Sequence, residues 1–131
     1  MGEHRLKAPV ELSVVADRSM MLVIRLTAAG VIARAGLTID AMDSLKMATE
    51  EACNCLIAQK NPPERLAVRF AIEDDDLVIQ AIAGADEDVQ GDVDETELEI
   101  VRCILASLAD DVAFDVSNGW LRAIELRTRL G

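Results

Sequence analysis

Apolar residues recur along this chain with two distinct periods. Val10 to Ala16 is short and rich in β-branched residues, which predicts a strand. Asp17 or Ser19 then caps a helix running to about Arg34, so densely apolar that it should be mostly buried, with Arg18, Arg25 and Arg34 on its exposed edge. Ala35-Gly36 ends it. Thr38 or Asp40 caps a second helix to about Lys60, in which Ile39, Met42, Leu45, Ala48, Ala52 and Leu56 recur every three or four residues. Asn61-Pro62-Pro63 stops this helix. Leu66, Val68, Phe70 and Ile72 then alternate with more polar neighbours, and Leu77 to Ala83 follows across Glu73-Asp74-Asp75-Asp76, as in an antiparallel hairpin. After an acidic loop, Glu95 to about Ala109 predicts a third helix with Leu98, Val101, Ile104, Leu105 and Leu108 on one face. Asp111 to Val116 and Trp120 to Arg129 complete the pattern as two strands around Ser117-Asn118-Gly119, and Asn-Gly is a strong hairpin signal.

The order β-α-α-β-β-α-β-β points to an α/β two-layer sandwich, of the α+β kind. One mixed, mostly antiparallel sheet is expected, covered on one face by three helices. No repeat or linker interrupts residues 1–131, which read as one domain with 1–8 flexible. At 131 residues such a domain needs no disulfide or metal to fold.

Charge narrows the partners. The chain carries 24 acidic and 13 basic side chains, a net charge of −11, which disfavours phosphate backbones and hence nucleic acid. The excess is local, because residues 73–99 hold 12 acids and no Lys or Arg. That segment reads as a solvated loop or a docking surface for a basic partner. The longest apolar stretch, Met20 to Ile24, is too short to span a membrane, and no apolar core follows the charged N-terminus. A cytoplasmic protein without a membrane partner is expected. Cys53, Cys55 and Cys103 read as reduced, buried thiols, and His4 has no companions for a zinc site or a catalytic triad. Met20, Met21, Met42 and Met47 read as packing residues, and Trp120 as a core or sheet-edge plug.

Glu50 and Asn54, four apart on the second helix, project from one face. A carboxylate there suits a general base, and an amide oxygen suits Mg²⁺. The stretch from Val23 to Asn54 around this pair resembles the anti-sigma-factor serine/threonine kinases, members of the ATPase superfamily shared by histidine kinases, gyrase and Hsp90-type chaperones. The shared features are an Arg-containing first helix, an Ala-Gly break, a capped Asp-rich start and E-x-x-x-N. Leu98 to Asp115 and Asn118 to Leu130 resemble that family's third helix and closing strands. The resemblance implies Glu50 as catalytic base, Asn54 as the Mg²⁺ ligand bridging to ATP, and Arg25 as a partner contact. It also implies assembly as a homodimer or heterocomplex, with which the apolar density of Met20 to Ala33 agrees.

The chain departs from the family at both glycine-rich nucleotide boxes. The first, D-x-G-x-G, aligns with Gln80, Ile82 and Gly84, or with Asp86 or Asp88 only in a shifted register. Gln80 and Gly84 are therefore the remaining candidates for cofactor contact. Asp94-Glu95-Thr96-Glu97 stands where the second box should cradle phosphates, and Ala58 replaces the family's basic residue four after the Asn. These features predict a regulatory module that binds a sigma factor or an anti-sigma antagonist, with ATP binding weakened or lost. The alternative is an active Mg-ATP-dependent kinase that phosphorylates the antagonist.

Overall fold

The computed structural model describes residues 6–130. His4 and the rest of residues 1–5 lie outside the described residues. Leu6, within the segment expected to be flexible, packs against the core.

β1 (Val10–Val15) leads through a 3₁₀ turn (Arg18–Met20) into α1 (Met21–Ala33) and α2 (Ile39–Ile57). β2 (Arg65–Glu73), β3 (Asp76–Gly84), α3 (Glu95–Ala106), β4 (Asp111–Ser117) and β5 (Trp120–Arg129) follow. The five strands form one sheet in the order β1-β2-β3-β5-β4. Every neighbouring pair is antiparallel, so the sheet is not mixed as expected. The cause is the connectivity: two helices separate β1 from β2, and α3 plus β4 separate β3 from β5. An even number of passes returns the chain in the opposite direction.

Local chemistry sets the boundaries. Asp17 accepts from Ser19 N and so caps the 3₁₀ turn, which delays α1. Thr38 Oγ1 accepts from Ala41 N at the start of α2. α2 ends three residues earlier than the pattern predicted, because Gln59, Lys60 and Asn61 find partners outside the helix. Asn118 and Gly119 both have positive φ, 56° and 69°, as a two-residue hairpin turn requires.

The core lies between the helices and one face of the sheet. Leu66, Val68 and Phe70 of β2, Leu77, Ile79 and Ala81 of β3, and Ile124 and Leu126 of β5 pack beneath Ile24, Ile32, Leu45, Leu56 and Leu105 of the three helices. The alternation read in β2 is thus the core pattern. The opposite face carries a charge ladder. Arg69 pairs with Glu11 (3.3 Å) and Glu73 (3.8 Å), and Arg127 pairs with Glu73 (3.2 Å), Glu125 (3.2 Å) and Asp76 (3.6 Å). Gln80 donates to Glu125 across β3 and β5 (3.0 Å).

α1 departs from expectation. Met21, Ile24, Ala28, Val31 and Ile32 are buried, but Leu22 and Leu26 are 56% and 64% exposed. The helical layer is one helix deep, so a helix that is apolar all round must turn half of its apolar surface outward. Ile39 and Met47 of α2 are exposed for the same reason. Of the cysteines only Cys53 is buried; Cys55 is half-buried and Cys103 is exposed. Trp120 is buried as expected.

The β4–β5 turn fixes a further constraint. A methyl group on Gly119 would run into the Gly91 carbonyl oxygen, in a backbone conformation that already disfavours a side chain. Gly119→Ala is expected to lower unfolding free energy in urea by about 2 kcal/mol or more. Gly30, inside α1 with open space around it, gives the opposite sign: Gly30→Ala should stabilise by about 0.5–1 kcal/mol.

Candidate functional site

A cleft of about 870 Å³ opens between the C-terminal half of α2, residues 90–94, the start of α3 and the first residues of β5. Its floor is held by side chains that replace missing backbone partners. Gln59 Oε1 accepts from Leu121 N (2.9 Å) while Gln59 Nε2 donates to Leu121 O (2.9 Å). One amide thus continues on β5 the pairing that β3 leaves after Ile82 and Ala123. Trp120 Nε1 donates to Asn61 O (2.7 Å), which seats the indole under the cleft. Asn61 Nδ2 in turn donates to Gln90 O (3.1 Å).

The wall formed by residues 90–94 is pinned to the β4–β5 turn. Gly91 N donates to Asn118 O (3.0 Å) and Val93 N to Gly119 O (2.9 Å). Both glycines are required by this approach, since a side chain at Gly91 would lie 2.8 Å from Gly119 O. Lys60 Nζ pairs with Asp92 (3.1 Å) on the rim.

At the start of α3, Asp94 Oδ1 accepts from Thr96 N (2.8 Å) and Glu97 N (3.3 Å). A helix N-terminus presents orphan N–H groups and a positive dipole end, which suit an anion. Here the chain's own carboxylate takes that position, and Glu95 and Glu97 add charge in the same turn. Asp94-Glu95-Thr96-Glu97 is therefore a helix cap with the D-x-x-E spacing of a capping box, a signal already present in the sequence.

The expected site residues separate in three dimensions. Asn54 lines the cleft, beside Glu51 and Cys55. Glu50 does not line it. Its carboxylate receives Arg25 Nη2 (2.5 Å) and Nε (3.2 Å), which bridges α2 to α1. The hydrogen bond and charge of Glu50 raise the Arg25 pKa above its usual value. Gln80 is bonded to Glu125 on the sheet face opposite the helices, and Gly84 sits against Arg65 at the end of β3. Neither lines the cleft, nor do Asp86 and Asp88. The reason is strand parity: the inward positions near the end of β3 are Ala81 and Ala83, both buried. Glu51 and Gln59 are among the cleft residues that sequence reasoning missed, and neither had a local signal, whereas Asp94 was already placed beside the site.

Among the described residues no group of His, Cys, Asp and Glu forms a metal cluster. The donor set fits Mg-ATP only in part. Asn54 offers an amide oxygen, but the N–H groups at the start of α3 are taken by Asp94, and the nearby Lys60 is paired with Asp92.

The sequence matches no family model and no curated protein. Among solved structures, the chain is similar to the RsbU and RsbW domains of Rv1364c from Mycobacterium tuberculosis. The TM-score is 0.72 at 12% identity, over 95% of this chain and 33% of that one. The chain thus spans one third of that neighbour's length, and the likeness establishes the fold. Among the described residues no helix is long and apolar enough to cross a membrane.

The three thiols provide a direct check on these environments. Burial pushes the Cys53 thiol up to about 12, with a further contribution from Glu50. Burial, then Glu51 and Glu97, also raise Cys55. A thiol reagent under native conditions should modify Cys103 first, Cys55 slowly and Cys53 only on unfolding. Because the thiolate is disfavoured in the folded state, Cys53 contributes no pH dependence below its ordinary value of 9.0. Stability should then fall as pH rises from there toward about 12, as the unfolded chain ionises first. Cys53→Ala should flatten that part of a urea-stability profile against pH.

Proposed function

We propose that this chain is a regulatory, anti-sigma-type module that binds a sigma factor or an anti-sigma antagonist, and that its capacity for ATP is weak or lost. The fold, shared in outline with a structure containing an RsbW domain, supports the regulatory class. The observation that carries the loss of ATP is the Asp94 cap. A triphosphate approaching the start of α3 meets a carboxylate already bonded to the N–H groups it needs. Unneutralised like charges brought together there repel each other. Binding a protein needs none of this machinery; it needs a surface, and exposed Leu22, Leu26 and Arg25 on α1 supply one.

The cleft itself favours the second reading. Its volume suits a nucleotide-sized ligand, and Asn54 lines it on the helix where the related kinases place their Mg²⁺ ligand. Under that reading Asn54 holds the metal of Mg-ATP, and the protein is a kinase acting on an antagonist.

Two measurements separate the readings. Calorimetric titration with ATP and ADP, with and without Mg²⁺, should show no saturable binding up to millimolar nucleotide. Micromolar, Mg-dependent binding abolished by Asn54→Ala would instead establish the kinase reading. Purified alternative sigma factors and antagonists of the host bacterium, titrated one at a time, should include a saturable binder. Arg25→Ala should weaken that complex at least tenfold without lowering the thermal midpoint, since a central interface Arg commonly costs more than 1 kcal/mol on truncation. An unchanged affinity would remove Arg25 from the interface.

A further inference from the structure

Glu51 on α2 and Glu97 on α3 line the cleft from its two helical walls. Burial raises the pKa of the half-buried Cys55 thiol, and Glu51 and Glu97 each add to the rise. The two carboxylates therefore approach one point from opposite sides. Among the described residues neither has an ion-pair or hydrogen-bond partner. Asp94 uses Oδ1 for both of its cap bonds, which leaves Oδ2 open. Asp92 differs, because it is paired with Lys60. Arg18, on the 3₁₀ turn, is the one lining cation without a carboxylate partner among the described residues. Negative charge is thus in excess, yet among the described residues no three such groups gather closely enough to hold one metal ion. Apolar surface completes the lining, with Leu98 and Val101 partly buried and Leu121 fully buried.

We propose that the cleft binds a linear aliphatic oligoamine, a methylene chain carrying spaced protonated nitrogens, with Glu51, Glu97 and Asp94 as its anchors. The inference rests on the loss of ATP from the cleft and not on the identity of any protein partner. A cavity with apolar lining and a few converging polar groups is the usual form of a small-molecule site. Charge selects the sign of the ligand. A phosphate meets carboxylates here, whereas an ammonium group donates charge-assisted hydrogen bonds to them. An ammonium between Glu51 and Glu97 also offsets the repulsion between those two side chains. Spacing selects the form of the ligand. Carboxylates that cannot share one ion are met singly, by positive groups set apart along a chain. The apolar lining selects the spacer, because methylene groups between the nitrogens leave water against Leu98, Val101 and Leu121.

The test uses the full chain and spermidine as the probe, titrated by calorimetry at low ionic strength. Saturable binding is expected, and Glu51→Gln and Glu97→Gln should each weaken it about fivefold, the worth of one partly exposed charge pair. Asp74→Asn removes the same charge from the β2–β3 turn, where the left-handed backbone tolerates Asn. That turn lies beside Arg129, at the opposite end of β5 from Trp120 and Leu121, so affinity should not change. Butylamine, with one ammonium on a similar stem, should bind roughly tenfold more weakly or worse, because it meets one anchor at a time. Absence of saturable spermidine binding overturns the inference. Equal weakening by Asp74→Asn also overturns it, since attraction to the net charge of −11 would then explain the heat. Equal affinity for butylamine overturns the spaced anchors. A second readout needs no ligand. In a Cys103→Ser background, Glu51→Gln and Glu97→Gln should each speed alkylation of Cys55, by removing a charge that disfavours its thiolate. Unchanged rates in both overturn the convergence on which the site is built. Micromolar binding of Mg-ATP in the titrations above overturns the reading on which the inference rests. A chain that binds neither ATP nor spermidine overturns the inference alone.

Discussion

A five-stranded antiparallel sheet has two faces, and this chain covers one of them with a single layer of helices. That constraint organises both surfaces. The covered face must be apolar at every second strand position, and it is, from Leu66 to Phe70 and from Leu77 to Ala83. The uncovered face must satisfy water, and Arg69 and Arg127 are placed there to meet Glu11, Glu73, Asp76 and Glu125 across four strands. Exposed pairs of this kind add little stability individually. Their effect is on register: sliding any strand by one residue would drive these charges into the core and the core residues into water. The helices inherit the same geometry. A layer one helix deep has an outer side, so α1, apolar around much of its circumference, cannot be wholly internal.

That geometry also explains which features were legible in the sequence. Element order and type could be read because each element carries its own period. Both hairpins could be read because Asn118-Gly119 and the acidic turn at 73–76 are local signals. Strand direction was misread as partly parallel because it depends on how many elements intervene between strands that pair. The burial of α1 was overestimated because periodicity reports how apolar a helix is, not how many layers lie above it. Ile39 was misplaced for the same reason, while Met47, Cys55 and Cys103 were read as buried from residue type, which does not report position on a helix.

The candidate site was legible only where a residue's role is set by its own helix. Asn54 reached the cleft because the C-terminal half of α2 forms one side of it. Gln80 did not, because strand parity puts it on the face opposite the helices. Gln59 carried no signal: its value lies in a pairing with Leu121, 62 residues away in sequence. Glu50 illustrates the remaining limit. Spacing places it near Asn54 along the helix, but its direction is decided by a guanidinium on α1, 25 residues earlier.

Two carboxylates satisfy donors from within the chain, with different outcomes. Asp94 satisfies the N–H groups of α3 from within the chain, so the helix end that would attract a phosphate is neutralised before any ligand arrives. Glu50 satisfies Arg25 from within the chain but only along one edge, so the guanidinium is fixed without being used up. The difference is one of donor count. Asp94 takes the N–H groups of Thr96 and Glu97 that the helix start presents to the cleft. A guanidinium has five donors, and a single carboxylate cannot occupy them all. An internal carboxylate therefore takes up the donors at the start of α3 but leaves part of Arg25 unbonded. That asymmetry between residues 94 and 25 comes from donor count alone, since both contacts are the same kind of interaction.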